Sequence, residues 1–216
     1  MHLKQFPNRA VKRDARIIGL FPRYRPGRAP LTLCRWRQEL HRDPTMSVPL
    51  SIDTPRLTLR QFVVDDWKTL HEHYSDLECT KFTFGRALTE GESWRAMASM
   101  VGHWQLRGFG PYAVVESATT NVVGTVGLWF PNDWPEPEIK WALVRRFWGK
   151  GFAAEAARAV QRVAFDHFGR PPISLIGAQN LPSIKVALTV GASLEEQILF
   201  RGNPFHIYRH PASVIQ

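Results

Sequence analysis

Between Glu138 and Phe168 the chain runs from a strand through a glycine loop into a helix, and this order constrains the fold more than any other stretch. Glu138-Ile139-Lys140-Trp141-Ala142-Leu143-Val144 reads as a buried strand, and Phe152 to Phe168 as an amphipathic helix. The loop between them, Arg146-Phe147-Trp148-Gly149-Lys150-Gly151, offers no Ser, Thr, Asp or Asn to cap the first helical turn; the candidate N-cap is Gly151. First-turn amides have no intrahelical partner and carry the positive end of the helix dipole, so an uncapped start of this kind makes an anion site. Gly149 and Gly151 let the backbone turn tightly and approach a phosphate closely, while Arg146 and Lys150 add positive charge at the rim. The stretch reads as a pyrophosphate cradle.

Three readings of it compete. The plainest is a glycine turn that only reverses the chain. The second is a dinucleotide fingerprint, because Gly149-Lys150-Gly151-Phe152-Ala153-Ala154 fits G-x-G-x-x-A. That fingerprint needs an acidic residue about 20 positions on to hold a ribose. The chain has Gly169-Arg170-Pro171-Pro172 there, and its next strand ends at Gly177-Ala178-Gln179, with no carboxylate in either place. A Walker loop is excluded too, since no Lys-Ser or Lys-Thr follows the glycines. The third reading takes the longer string R-x-x-G-x-G, Arg146 to Gly151, behind a strand that begins Glu-Ile. It resembles the coenzyme A-binding motif of the GNAT superfamily of N-acetyltransferases, in particular its RimJ/RimL-type branch.

Further stretches carry the resemblance in the family's order, from about residue 51 to the end. Thr54-Pro55-Arg56-Leu57-Thr58-Leu59-Arg60 resembles the first strand of that branch, and Val123-Gly124-Thr125-Val126-Gly127-Leu128 its third. Asn180-Leu181-Pro182-Ser183, with Val186 and Gly191-Ala192 beyond it, is similar to the later cofactor-contacting helix and its exit. The resemblance implies an α/β (α+β) fold: a mixed, mostly antiparallel twisted sheet of about seven strands, flanked by about four helices. Its two central strands, here Glu138–Val144 and Ile173–Ala178, would splay apart.

The formal net charge of +9 suggests a nucleic-acid partner until the charge is located. Residues 1–45 hold 11 Lys/Arg against 3 Asp/Glu, which leaves 17 against 16 for the rest of the 216-residue chain. The domain is nearly neutral and the basicity belongs to the N-terminal segment. Pro22, Pro26, Pro30 and Pro44 break any long element there. This extension, 1–45, is read as a false start with translation beginning at Met46, or else as a basic arm for ribosome or RNA contact, or as a targeting segment; residues 46–216 form one domain. Two cysteines, Cys34 and Cys79, exclude a disulfide framework and favour a reducing cytoplasm. No membrane span is expected, and the protein is expected to work as a monomer or homodimer.

Along the domain, periodicity predicts a strand over Arg56–Phe62 and a helix from Asp65 or Asp66 to about Tyr74. His71 and His73, two positions apart, are expected at the surface or its boundary rather than as a metal pair. Thr89 with Glu92 predicts a capping box for a helix to about Arg107, with Trp94, Met97, Ala98, Val101 and Trp104 as its inner stripe. Strands follow at Pro111–Glu116 and Val122–Phe130, then a rigid loop, Pro131–Pro137; its Trp134, with Trp129 and Phe130, either packs against the helices or forms an acceptor wall. A short helix opens at Pro182, and Leu194–Phe200 with Pro204–Arg209 closes the sheet, His206 and Tyr208 on one face.

The resemblance implies acetyl transfer from acetyl-CoA, as co-substrate and without a metal, directly to an amine in a ternary complex. Leu143 and Val144 would pair through their backbones with the pantetheine arm. Arg146 and the amides of Phe147, Trp148, Gly149, Lys150, Gly151, Phe152 and Ala153 would hold the pyrophosphate, and Asn180 and Ser183 would contact the cofactor. An amine attacks only when neutral, so a base or water relay is required. Glu138 is the carboxylate for that role, weighed evenly against a structural one at the strand start. An amide near Leu143 would stabilise the tetrahedral oxygen. The tyrosine that many relatives use to protonate the leaving thiolate is replaced by Ala187; Ser183 could donate instead, or serve as a helix cap or a coenzyme A contact. Lys140 stands where the branch usually has glycine, placing a cation near the acceptor channel. The acceptor would be a protein N-terminal amine or a small-molecule amine. Two other functions compete: a non-catalytic acyl-CoA-binding module, and an RNA- or ribosome-associated protein acting through residues 1–45.

Overall fold

The computed structural model describes residues 47–212, so the extension 1–45 and the start at Met46 lie outside the described residues. Strands β1 (Ser51–Asp53) and β2 (Leu57–Arg60) lead into α1 (Asp66–Tyr74), a one-turn α2 (Leu77–Thr80) and the long α3 (Glu90–Arg107). Then come β3 (Pro111–Glu116), β4 (Val122–Trp129) and β5 (Glu138–Leu143). A 3-10 turn (Arg145–Phe147) precedes α4 (Phe152–Phe168), β6 (Ile173–Gly177), α5 (Leu181–Thr189) and the hairpin of β7 (Ser193–Phe200) and β8 (Asn203–Arg209).

The strands make one mixed sheet, ordered β1-β2-β3-β4-β5-β6-β8-β7. Neighbours are antiparallel throughout, except β5 and β6, which run parallel and register at one pair only, Glu138 with Ile173. Beyond that pair the two strands diverge, so the expected splay is present. The sheet has eight strands and the described residues five α-helices, one of each more than expected. The additions are β1, three residues long, and α2, a single turn capped by Asp76; both are too short for a periodic pattern to register.

Apolar side chains pack on both faces of the sheet. On one face Val126, Leu128, Ile139 and Leu143 meet Phe152, Ala156, Val160 and Ala164 of α4, whose alanines allow close approach. On the other, Leu70 and Tyr74 of α1 pack with Met97 and Met100 of α3. The Thr89–Glu92 capping box forms as expected, and Gly108 ends α3 in a left-handed conformation. The inner stripe of α3 differs from expectation: Trp94 and Val101 are exposed, and Met97, Met100, His103 and Trp104 turn inward. Polar residues share that inner face because they find partners there. Ser93 Oγ lies 2.9 Å from His71 Nδ1, and His103 Nδ1–H donates to Phe109 O at 2.7 Å while its Nε2 accepts from Phe130 N–H at 2.9 Å.

His73 also departs from its expected surface position. It is buried, and its Nδ1–H donates to Leu143 O at 2.9 Å, tying the end of α1 to the end of β5. Burial holds its pKa below the ordinary histidine value, so the ring is a neutral donor.

Candidate active site

The glycine loop closes the end of the gap between β5 and β6. Gly149 and Gly151 both adopt left-handed backbone, at φ 77° and 81°, and Gly151 is the N-cap of α4 without any side-chain cap. A side chain would be strained at both positions. The first helical bond runs from Glu155 N–H to Gly151 O at 3.1 Å, so the amides of Phe152 and Ala153 have no intrahelical acceptor. Among the described residues the amides of Gly149, Lys150 and Gly151 have no hydrogen-bond acceptor either. The expected set is narrower at its start. Phe147 N–H donates to Val144 O at 2.9 Å and Trp148 N–H to Arg145 O at 3.0 Å, because the 3-10 turn uses both.

Two residues that the sequence did not single out hold the loop in place. Glu155, in the first turn of α4, accepts from Thr54 Oγ1 at 2.7 Å, from Arg56 N–H at 2.9 Å and from Arg56 Nε at 2.7 Å. Arg56 Nη1 donates in turn to Lys150 O at 3.0 Å, and its guanidinium lies over the Phe152 ring at 4.9 Å. Glu155 thus anchors the loop to β2 and leaves the amides beside it free. Nothing local in the sequence marks a contact that joins positions 56 and 155.

The two arginines at the rim are already paired. Arg146 makes an ion pair with Glu72, and Arg145 lies 3.5 Å from Asp76. Together with Val144 these four side chains line a cavity of about 400 Å³ between α1 and the loop. Pairs this exposed contribute at most about 1 kcal/mol, so an arriving anion can displace the carboxylates. Lys150 has no carboxylate within salt-bridge distance among the described residues; its ammonium lies 5.1 Å from the Phe147 ring centre.

Where β5 and β6 part, side chains satisfy the backbone. Glu138, buried, accepts from Trp134 Nε1 at 2.8 Å and from Leu175 N–H at 3.0 Å. Burial pushes its pKa up to about 7, against the pull of the Leu175 amide, Lys140 and Trp134. Ser174 Oγ donates to Ile139 O at 2.6 Å. Farther along β5, Leu143 O accepts from Trp148 Nε1 at 2.8 Å as well as from His73. Val144 N–H donates to Val123 O at 2.9 Å, turning away from the gap. Of the two residues expected to face a pantetheine arm, Val144 therefore spends its amide on β4.

Lys140 lies two residues after Glu138 and on the same face of β5. Its ammonium is 4.8 Å from the Trp129 ring centre and has no hydrogen-bond or ion-pair partner among the described residues. Burial lowers its pKa, and the charge of Glu138 opposes that. Around it stand His103, stacked on Trp129 at 4.7 Å, and Trp134, perpendicular to Trp129 at 6.4 Å. The tip of the β7–β8 hairpin pins the loop of Trp134: Phe200 is 5.0 Å from that ring, and Arg201 Nε donates to Asp133 at 2.9 Å. The aromatic wall expected here is Trp129 and Trp134, while Phe130 belongs to the core.

At the start of α5, Asn180 is the N-cap and its side-chain oxygen accepts from Ser183 N–H at 3.2 Å. That occupies the Asn180 carbonyl and leaves its NH2 group available. The Ser183 hydroxyl has no partner among the described residues. Ala187 is buried against Ile176 and Tyr208, with His206 beside Tyr208 on the same face of β8. Among the described residues no group of His, Cys, Asp and Glu could hold a metal ion, and no helix is long and apolar enough to cross a membrane.

A parallel strand pair opened beside an uncapped helix start, with a buried carboxylate at the opening, leaves free backbone donors next to an open strand edge. The comparisons with known proteins give the family. Residues 56–193 match the family model described as the acetyltransferase (GNAT) domain. A Bacillus licheniformis relative, the uncharacterized N-acetyltransferase p20, is 32% identical over 62% of this chain and 76% of its own length. The crystal structure of an acetyltransferase from Agrobacterium tumefaciens str. C58 superposes with a TM-score of 0.68 at 25% identity, covering 77% of this chain and 96% of that one. The aminoglycoside acetyltransferase AAC(6')-Ib in complex with coenzyme A shares the fold at a TM-score of 0.59 and 16% identity, covering 71% of this chain and 94% of that one. The chain belongs to the GNAT family of N-acetyltransferases.

Proposed function

We propose that the chain is an acetyl-CoA-dependent N-acetyltransferase of RimJ/RimL type that acetylates a primary amine by direct attack in a ternary complex. The observation that carries the reading is the row of unpartnered amides from Gly149 to Ala153 at the mouth of the β5–β6 gap. Those donors suit a pyrophosphate, with Lys150 and, once released from Glu72, Arg146 supplying charge. The pantetheine arm would then run along the gap-facing edge of β5 at Leu143, with Asn180 and Ser183 on the opposite side.

Glu138 is the proposed base. A carboxylate with a pKa of about 7 accepts a proton from an ammonium near neutral pH, which an ordinary glutamate does poorly. Its two hydrogen bonds leave a lone pair on each oxygen. Ser183, its hydroxyl uncommitted, is the proposed donor to the leaving thiolate. The acceptor would approach along the Trp129–Trp134 wall, where Lys140 disfavours a second positive charge close to the reacting amine. RimJ/RimL membership rests on the order of motifs from Thr54 to Ala192, and the protein N-terminal amine is the acceptor class that membership implies.

The test is to incubate the full chain with acetyl-CoA and a panel of amines, N-terminal peptides and small amines alike, and to follow free thiol release. Turnover with at least one acceptor is expected. Saturable acetyl-CoA binding with no turnover across the panel would instead make the protein an acyl-CoA-binding module.

A further inference from the structure

In a parallel pair the ladder bonds are evenly spaced and recur every second residue on each strand. Ile173 N–H donates to Pro137 O at 3.1 Å, so the next bond from β6 to β5 should run from Leu175 N–H to Ile139 O. It does not form. Leu175 N–H donates to the Glu138 carboxylate at 3.0 Å, and Ile139 O accepts from Ser174 Oγ at 2.6 Å. Two side chains take the two ends of one missing bond. An unsatisfied buried backbone group costs about 1–3 kcal/mol, so strands that parted here without substitutes would be pulled back together.

The Ser174 hydroxyl is itself oriented by a buried chain. Gln161 NH2 of α4 donates to Val190 O at 2.9 Å and to His210 Nδ1 at 2.7 Å. With Nδ1 accepting, the His210 proton sits on Nε2, which donates to Ser174 Oγ at 2.9 Å. The serine proton is then left for Ile139 O. Burial, helped by the charge of Arg209, pushes the His210 pKa down to about 3, so the ring stays neutral and the direction of the chain is fixed. A Ser–His pair suggests a nucleophile, yet Ser174 is 1% exposed and its proton is committed to a carbonyl. It cannot attack a substrate from there.

We infer that Glu138 and Ser174 open the gap by intercepting both ends of a single ladder bond, and that Ser174, aimed by His210 and Gln161, is a positioning residue for cofactor binding. The inference rests on the proposed function, in which the gap receives the pantetheine arm. It also gives Glu138 a second duty: its carboxylate keeps the strands apart as well as facing the acceptor.

The test compares the full chain with Ser174→Ala. Through-hydrogen-bond NMR coupling in the parent is expected between Leu175 N and the Glu138 side-chain carboxyl carbon. In Ser174→Ala it is expected to move to the Ile139 carbonyl carbon, as the freed carbonyl captures the amide. Calorimetry should show acetyl-CoA affinity falling about tenfold, with acceptor KM unchanged, a split that a general loss of folded protein would not produce. Glu138→Ala frees the other end of the bond and should give the same Leu175–Ile139 coupling, which covers the case of a Ser174 variant that does not fold. A Leu175–Ile139 coupling already present in the parent would overturn the inference, as would its absence from both variants. Parent protein that fails to bind acetyl-CoA would overturn the functional reading and with it the positioning role, while the coupling pattern would still decide whether the bond is intercepted.

Discussion

The cradle and the gap would hold the two ends of the proposed ligand, yet they are built on opposite principles. The cradle, Gly149 to Ala153, leaves its backbone donors without protein partners and depends on contiguous sequence. The gap satisfies its central backbone groups with side chains from distant positions: Glu138 for Leu175, Ser174 for Ile139, His73 for Leu143. Open donors cost little at the surface, where water replaces the ligand; in the interior the same groups must be capped before the strands can part. A site can therefore be left empty at its mouth and must be fully bonded at its floor.

The largest effect expected from breaking this contrast is at Glu138. Its folded pKa of about 7 lies above the ordinary glutamate value of 4.5, so the folded protein holds a proton that the unfolded chain has lost. Its contribution to stability is greatest below pH 4.5 and is lost as pH rises through about 7, by up to about 3 kcal/mol. Glu138→Gln should remove that part of the pH dependence in denaturant titrations. As base, the same group predicts a rate that rises with pH through about 7 and a Gln variant slower by about 100-fold or more. A Gln variant at full rate would confine Glu138 to holding the strands.

Lys140 comes next. Lys140→Met keeps the stem against Trp129 and removes the charge. Cationic acceptors should then bind about fivefold more tightly, read as a lower KM with kcat little changed. An increase in KM would mean that Lys140 contacts an anionic group of the acceptor.

Glu72 should give the smallest change. Glu72→Gln frees Arg146 from its exposed ion pair and should raise acetyl-CoA affinity about twofold at low salt, with the gain gone at 0.5 M salt, a concentration at which the screening length is roughly 4 Å. A gain that survives salt would point to a rearrangement rather than to competition for a charge.

The two regions were also unequally legible in the sequence. The cradle could be read from six consecutive residues, because a strand, two glycines and an uncapped helix start are local features. The gap could not. Ser174, His210, Gln161 and His73 carry no motif, and their roles exist only once β6, β8, α4 and α1 meet β5. Helix α3 shows the same limit on a smaller scale: its capping box, four residues long, was legible, while its inner face, set by partners such as His71 and Phe130, was misjudged at Trp94 and Val101. Glu138 stands out in the sequence from its place at the strand start, but the burial that raises its pKa exists only once the fold closes around it, and the Leu175 amide that opposes the rise comes from a distant strand.

The central claim, that free amides of the glycine loop hold the anionic end of acetyl-CoA, is tested most directly by calorimetry on the full chain with Gly149→Glu beside Gly149→Ala. A Cβ at Gly149 meets no atom within 4 Å, so both variants carry the same left-handed strain and differ in the longer, charged end of the glutamate. Binding by the parent and by Gly149→Ala, with none by Gly149→Glu, is the predicted result. Equal affinity in all three would contradict the account, because a negative charge among the donors would then leave the ligand unaffected.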